Sequence, residues 1–256
     1  MLKAIVIFLL FLCAQVLSSV ITLLWDNSDF LFQGGSLGSL SLSSFTPTGI
    51  GLGLWIANLF IFFVLWRLRL TSKHLLGKFA KGIPTGGGMA VISFIFIGFG
   101  LSFLLEPLHL EDGQMMRLFE KMQGNIIAVS AVCVIGPFLE EVIFRDGIQR
   151  HLMRSGLSPW LAIPTSSAVF AIVHMNAAQA VPAFLLGILL GLLYHKTGDL
   201  RLCLPAHIIN NSLGMLLFHL PEMQETMSGF SLWFSLTVGL LFLLGGGAAF
   251  YRSIQK

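Results

Sequence analysis

Glu140 and Glu141 stand side by side in an otherwise apolar stretch that opens with Gly136-Pro137 and closes at Arg145. On a helix, Glu141 and Arg145 lie four residues apart, the spacing of an ion pair. Glu140 is rotated away by about 100° and is left free for other work. Phe170 and His174 are likewise one turn apart, and so are His207 and Asn211. Each segment alone has a structural reading: a charge cluster holding helices together, an interfacial histidine, or amides and imidazoles bonding between helices. Together they supply two carboxylates, two imidazoles, a guanidinium and an amide. A carboxylate with an imidazole can hold a water and take its proton. A second imidazole with an amide can donate hydrogen bonds to a developing oxyanion. That set suits hydrolysis of a peptide bond in a water-poor cavity.

The elements that must position these groups follow from composition. Hydrophobic residues make up 55% of the 256 and charged residues 11%, well below the roughly 25% charge of a soluble domain. A net charge of +3 is too small and too scattered to point to nucleic acid. Apolar runs of about the ~20 residues needed to cross a bilayer lie at 3–24, 49–68, 88–106, 124–150, 159–176, 179–195, 200–219 and 229–250. The fold class is all-α, a polytopic transmembrane helix bundle of about eight spans. The first run is longer than the core of a secretory signal and no A-x-A site follows it, so it reads as a retained span. Cys13, Cys133 and Cys203 are far apart and lack metal-ligand spacing. Pro182 and the paired glycines read as sites of close helix packing, and the five tryptophans as an interfacial belt.

Charge asymmetry tests this map. One set of alternate connections (the N-terminus, 67–88, 145–158, 195–201 and the C-terminus) holds thirteen of the fifteen Lys and Arg residues. The other holds Arg117 and Lys121 with eight of the twelve acidic residues. By the positive-inside rule, both termini face the cytoplasm. One geometric condition follows. For Glu140 to meet His174, the fourth helix must continue to about His151, which places Arg145 inside the bundle.

EExxxR at Glu140, Glu141 and Arg145, FxxxH at Phe170 and His174, and HxxxN at His207 and Asn211 resemble the CAAX-prenyl-protease and bacteriocin-processing (CPBP, or Abi) family of intramembrane glutamic endopeptidases. The likeness covers about residues 125–215. It includes the small-residue helix from Phe184 to Tyr194, and no motif position departs from the pattern. The resemblance implies that Glu140, helped by His174, activates a water, that His207 and Asn211 stabilise the oxyanion, and that Glu141 and Arg145 order the site. It also implies a cavity open toward the cytoplasm, no cofactor and no metal.

The domain reading is 1–120 for the first three spans, 121–220 for a catalytic core and 221–256 for a last helix. The expected partners are a membrane-associated protein or peptide substrate and the lipid bilayer, without nucleic acid, in a bacterial inner or plasma membrane. Three other readings stay open. Glu140, His174 and His207 could form a zinc site, although HExxH is lacking. A scaffold or immunity protein could keep the cluster for packing, and a transporter could use it for proton relay. His74, His109, His151, His195 and His219 are assigned no chemistry.

Overall fold

The structure is a computed structural model, and its described residues are 1–35, 45–72, 75, 82, 84, 87–111, 115–218, 220 and 229–254. Much of the Ser/Gly-rich loop after Asp26, the basic stretch from Lys73 to Lys81 with His74 (Leu75 apart), Thr85-Gly86, Asp112, His219, Glu222, Glu225 and Lys256 lie outside them. Of the described residues 85% are helical, and none is in a strand. In chain order the main helices are α1 (Leu2–Asp26), α2 (Pro47–Arg67), α3 (Gly87–Leu105), α4 (Met115–Met122), α5 (Ile126–Arg154), α6 (Pro159–Ile172), α7 (Ala177–Thr197), α8 (Leu200–Phe218) and α9 (Leu232–Ile254).

Six of these are long and apolar enough to cross a membrane: α1, α2, α3, α5, α7 and α9. The two remaining expected spans differ for separate reasons. Helix α6 is apolar but has only 14 residues. Helix α8 is long enough at 19 residues, but His207, Asn210 and Asn211 dilute its hydropathy. Its departure from a simple lipid-facing helix is thus caused by the residues singled out for chemistry.

Helix α5 is the axis of the bundle. It continues past Arg145 to Arg154, as a meeting of Glu140 with His174 requires, and every residue from Glu141 to Leu152 is buried. Helices α1, α2, α6, α7 and α8 all pack against it. On α1 the buried positions Ala4, Ile7, Phe11, Ala14, Ser18 and Thr22 recur every three or four residues, forming one helix face. The opposite side, with Leu2, Ile5, Leu9, Leu12 and Val16, is exposed and apolar, as a lipid-facing surface must be. Helix α9 packs on α3 where Gly100 and Gly239 meet. A Cβ on either would lie about 3 Å or less from the other's carbonyl oxygen (2.9 and 3.0 Å).

Two parts of α5 are π-helical, Ala131–Ile135 and Val142–Gln149. Pro137, one residue after Gly136, has no N–H to return to the preceding turn, which accommodates the first wide turn. Such widened turns inside α-helices cluster at functional sites, and here they bracket Glu140 and Glu141.

Below the glutamates, α5 carries a buried polar cluster. Asp146 accepts hydrogen bonds from the Ser72 N–H (2.6 Å) and the Tyr194 hydroxyl (2.8 Å) and pairs with Arg150 at 3.2 Å. Arg150 Nη2 donates to Leu70 O at 2.7 Å, and His151 Nε2 lies 3.1 Å from the same oxygen. The connection after α2 is thereby tied to α5. Trp55 also departs from the interfacial belt: its indole N–H donates to Ser130 Oγ at 3.1 Å inside the bundle.

Gly191 of α7 sits against α5 and α6. A Cβ there would meet Ile163 Cγ2 at 2.7 Å and Gln149 Oε1 at 2.8 Å, while Gln149 Nε2 donates to Gly191 O at 2.8 Å. Gly191→Ala is expected to destabilise the protein by about 1–3 kcal/mol through overpacking. Gly245→Ala on α9, where a Cβ meets nothing within 4 Å, is expected to gain up to about 1 kcal/mol of helix propensity. Unfolding in detergent compares them. Equal shifts for the two variants would refute the close-packing account of Gly191.

Candidate active site

Glu141 is sealed in the protein, with its side chain only 1% exposed, whereas the Glu140 side chain is 25% exposed. These adjacent carboxylates diverge because successive helical residues point about 100° apart. Glu141 turns toward Arg145 and α8, and Glu140 faces a cavity of about 710 Å³. Arg145 Nε is 3.4 Å from Glu141 Oε2, with the guanidinium fully buried. The spacing argument for this pair, and the requirement that Arg145 lie inside the bundle, both hold in the structure.

His207, from α8, bridges the two glutamates. Its Nδ1–H donates to Glu141 Oε1 at 2.9 Å, and its Nε2 faces Glu140 Oε2 at 3.5 Å. The sequence grouped His207 with Asn211. The structure adds this stronger association with the glutamate pair, which spacing within one helix could not reveal. Asn211 Nδ2 donates to Val132 O of α5 at 3.3 Å, joining α8 to the first wide turn of α5. Asn210 also reaches the cavity, and its Oδ1 lies over Gly98 of α3.

His174 stands just beyond the end of α6. Its Nδ1–H donates to Phe170 O at 2.8 Å, which leaves Nε2 as the acceptor nitrogen of the neutral ring. Phe170 is the hub of the site. Its ring lies edge-on to His174 (centroids 4.9 Å) and His207 (5.8 Å), and Arg145 Cζ is 5.3 Å from its centroid. This geometry combines edge-to-face packing with a cation–π contact. It gives the Phe of FxxxH a physical reason: one ring spaces two imidazoles and a guanidinium.

Glu140, His174, His207 and Asn211 all line the one cavity. Glu141 and Arg145 lie behind that wall. Among the described residues, no three His, Cys, Asp or Glu side chains converge as a metal site.

The sequence missed the opposite wall. Gln15, Ser18, Ser19 and Thr22 of α1 and Asn58 of α2 also line the cavity. The signal was present as polar residues recurring at three- and four-residue intervals in a run otherwise apolar. Asn58 is 6% exposed. The lining belongs to the half of the bundle that holds the end of α1, the start of α2, α4 and the start of α7.

An all-helical membrane bundle that buries carboxylates and imidazoles around a cavity defines a polytopic membrane protein with a built polar site. Residues 122–213 match the family model described as type II CAAX prenyl endopeptidase Rce1-like. That match supports membership of the CAAX-protease and bacteriocin-processing family, a family of proteases. No curated protein and no solved structure matches the chain.

Proposed function

We propose that the protein is an intramembrane glutamic endopeptidase acting on membrane-associated polypeptides, with eight spans in which α6 and α8 complete the six longer helices. The observation that carries this reading is the division of labour between neighbouring glutamates, one sealed in an ion pair and one facing the cavity. Glu140 takes a proton from a water whose oxygen attacks the scissile carbonyl carbon. His174 Nε2 accepts the water's other hydrogen and orients it. The carbonyl oxygen becomes the oxyanion, facing the second amide hydrogen of Asn211 and His207 Nε2–H when that ring is doubly protonated. The C–N bond then breaks, Glu140 returns its proton to the leaving nitrogen, and the products are a carboxylate and an amine. Glu141 accepts the His207 Nδ1–H and so aims the opposite ring nitrogen at the reacting centre, much as a carboxylate orients histidine in a catalytic triad.

Mass spectrometry of terminal peptides tests the reading, comparing membranes that carry wild type with membranes that carry Glu140→Gln. Protein termini present only with wild type are expected, and they would identify the substrate. Identical profiles, with both proteins present and folded, would make the carboxylate cluster structural. Cleavage is further expected to change less than twofold in excess strong chelator. Loss of activity on chelation, restored by zinc alone, would instead favour a metal site built on Glu140, His174 and His207.

A further inference from the structure

We propose that the cavity is filled from the side of the membrane away from the cytoplasm, so that its substrate is an apolar polypeptide segment already exported or lying in the outer leaflet. The word substrate rests on the peptidase reading, whereas the sidedness stands on geometry and charge alone.

The cavity wall has a clear polarity along the bundle. It takes Gln15 to Thr22 from the second half of α1, Ile50 to Asn58 from the first half of α2 and Ala131 to Glu140 from the first half of α5. It takes His174 from the end of α6, Ala178 to Ala183 from the start of α7 and Asn210 to Met215 from the later part of α8. These antiparallel segments share one end of the bundle, the end where Asp26 accepts the Thr46 N–H at 2.8 Å and Ala178 N–H donates to Glu111 O at 3.1 Å. The opposite end brings the N-terminal amine to Ser155 Oγ and carries Arg67, Arg154, Lys196 and Arg201. On α1, α3, α7 and α8 the lining residues nearest that end (Phe11, Phe94, Leu190 and His207) stop about two helical turns short of it.

Charge then assigns the two ends. With Arg145 inside the bundle, the segments at the closed end hold eight Lys and Arg among the described residues, from Lys3 on α1 to Arg252 on α9. Among the described residues the cavity end holds only Arg117 and Lys121, beside the acidic Asp26, Asp29, Glu106, Glu111 and Glu120. Positively charged connections stay on the cytoplasmic side, so the closed end faces the cytoplasm.

Helix α4 gives a second, independent indication of what the mouth receives. Met115, Met116, Leu118, Phe119 and Met122 line the cavity, while Arg117, Glu120 and Lys121 are exposed. A short amphipathic helix of this pattern lies in the plane of the interface. Flexible methionine side chains adapt to varied apolar partners. The mouth therefore offers an apolar bed at headgroup depth, and the polar stripe of α1 faces the backbone of a segment drawn deeper.

Single cysteines test the sidedness, in a protein whose Cys13, Cys133 and Cys203 are replaced by alanine. Met175→Cys marks the rim beside His174, where Met175 is 87% exposed. Ser19→Cys marks the cavity wall and Ser155→Cys the closed end. Each is treated with a membrane-impermeant maleimide in right-side-out and in inverted membrane vesicles. Met175→Cys and Ser19→Cys are expected to react at least tenfold faster in right-side-out vesicles, and Ser155→Cys at least tenfold faster in inverted ones. The reverse pattern at Met175 and Ser155 would overturn the orientation. Labelling of Ser19→Cys only in inverted vesicles, with the other two as expected, would overturn the route into the cavity. A protein that labels as expected but whose Glu140→Gln variant leaves every protein terminus unchanged would keep the sidedness and lose the peptidase reading.

Discussion

Cleavage by the Glu140→Gln protein is expected to fall by about 10²–10⁴, the contribution of a positioned general base, while its thermal unfolding stays unchanged. Glutamine has the size of glutamate but no basic carboxylate oxygen, so the variant keeps its shape and loses its capacity to take a proton. Stability should survive because Glu140 faces the cavity, and its one charged approach, His207 Nε2 at 3.5 Å, is longer than a good hydrogen bond. A general base acts in the transition state, so kcat and kcat/KM should fall together with KM little changed. Full activity in the variant would remove Glu140 from the mechanism. Loss of activity accompanied by a lower unfolding midpoint would make it a structural residue.

Its neighbour should behave in the opposite way. Glu141→Leu is expected to cost about 3–5 kcal/mol, the usual penalty for removing one member of a buried ion pair. Arg145 is fully buried, and Glu141 is the carboxylate paired with it among the described residues. Without that partner a guanidinium remains in the interior, against the Phe170 ring. The double variant Glu141→Leu/Arg145→Met removes both charges and should recover most of the lost stability. It should not recover activity, because His207 has lost the acceptor of its Nδ1–H. Unfolding of the single and double variants, with turnover measured on each, separates the two contributions. A double variant no more stable than Glu141→Leu would show that the pair is not the source of the cost.

The contrast between these two residues also shows what the sequence could convey. Apolar run length and charge asymmetry revealed an all-helical membrane bundle, because bilayer thickness and translocation act on composition directly. The i, i+4 spacing of Glu141 and Arg145 was legible because both lie on one helix. The bridge from His207 to both glutamates was not, since it depends on how α8 packs against α5. The wide turns of α5 were hidden for a related reason: their hydrogen-bond pattern is decided by the neighbours that surround the helix. Gln15, Ser18, Ser19 and Thr22 were visible as polar letters in an apolar run, but their meaning required knowing that α1 forms a cavity wall. The side on which that cavity opens was taken from a family likeness, because composition sets the charge of the connections and not the depth of a cavity between helices.

The shortness of α6 has a consequence for the surrounding lipid. Its 14 residues rise about 21 Å, against a hydrocarbon layer of about 30 Å. Trp160, Leu161 and Ile172 are exposed along it, and Met175 just beyond its end. Acyl chains touching this face must therefore shorten or tilt to meet it, at a cost of fractions of a kcal/mol for each ångström of mismatch. The dimple so formed lies beside His174, so on the entry route proposed above a peptide bond has less oil to cross before it reaches the glutamate. The protein deforms its own solvent at the place where a polar backbone must enter it, and bilayers of short-chain lipids should oppose that deformation least.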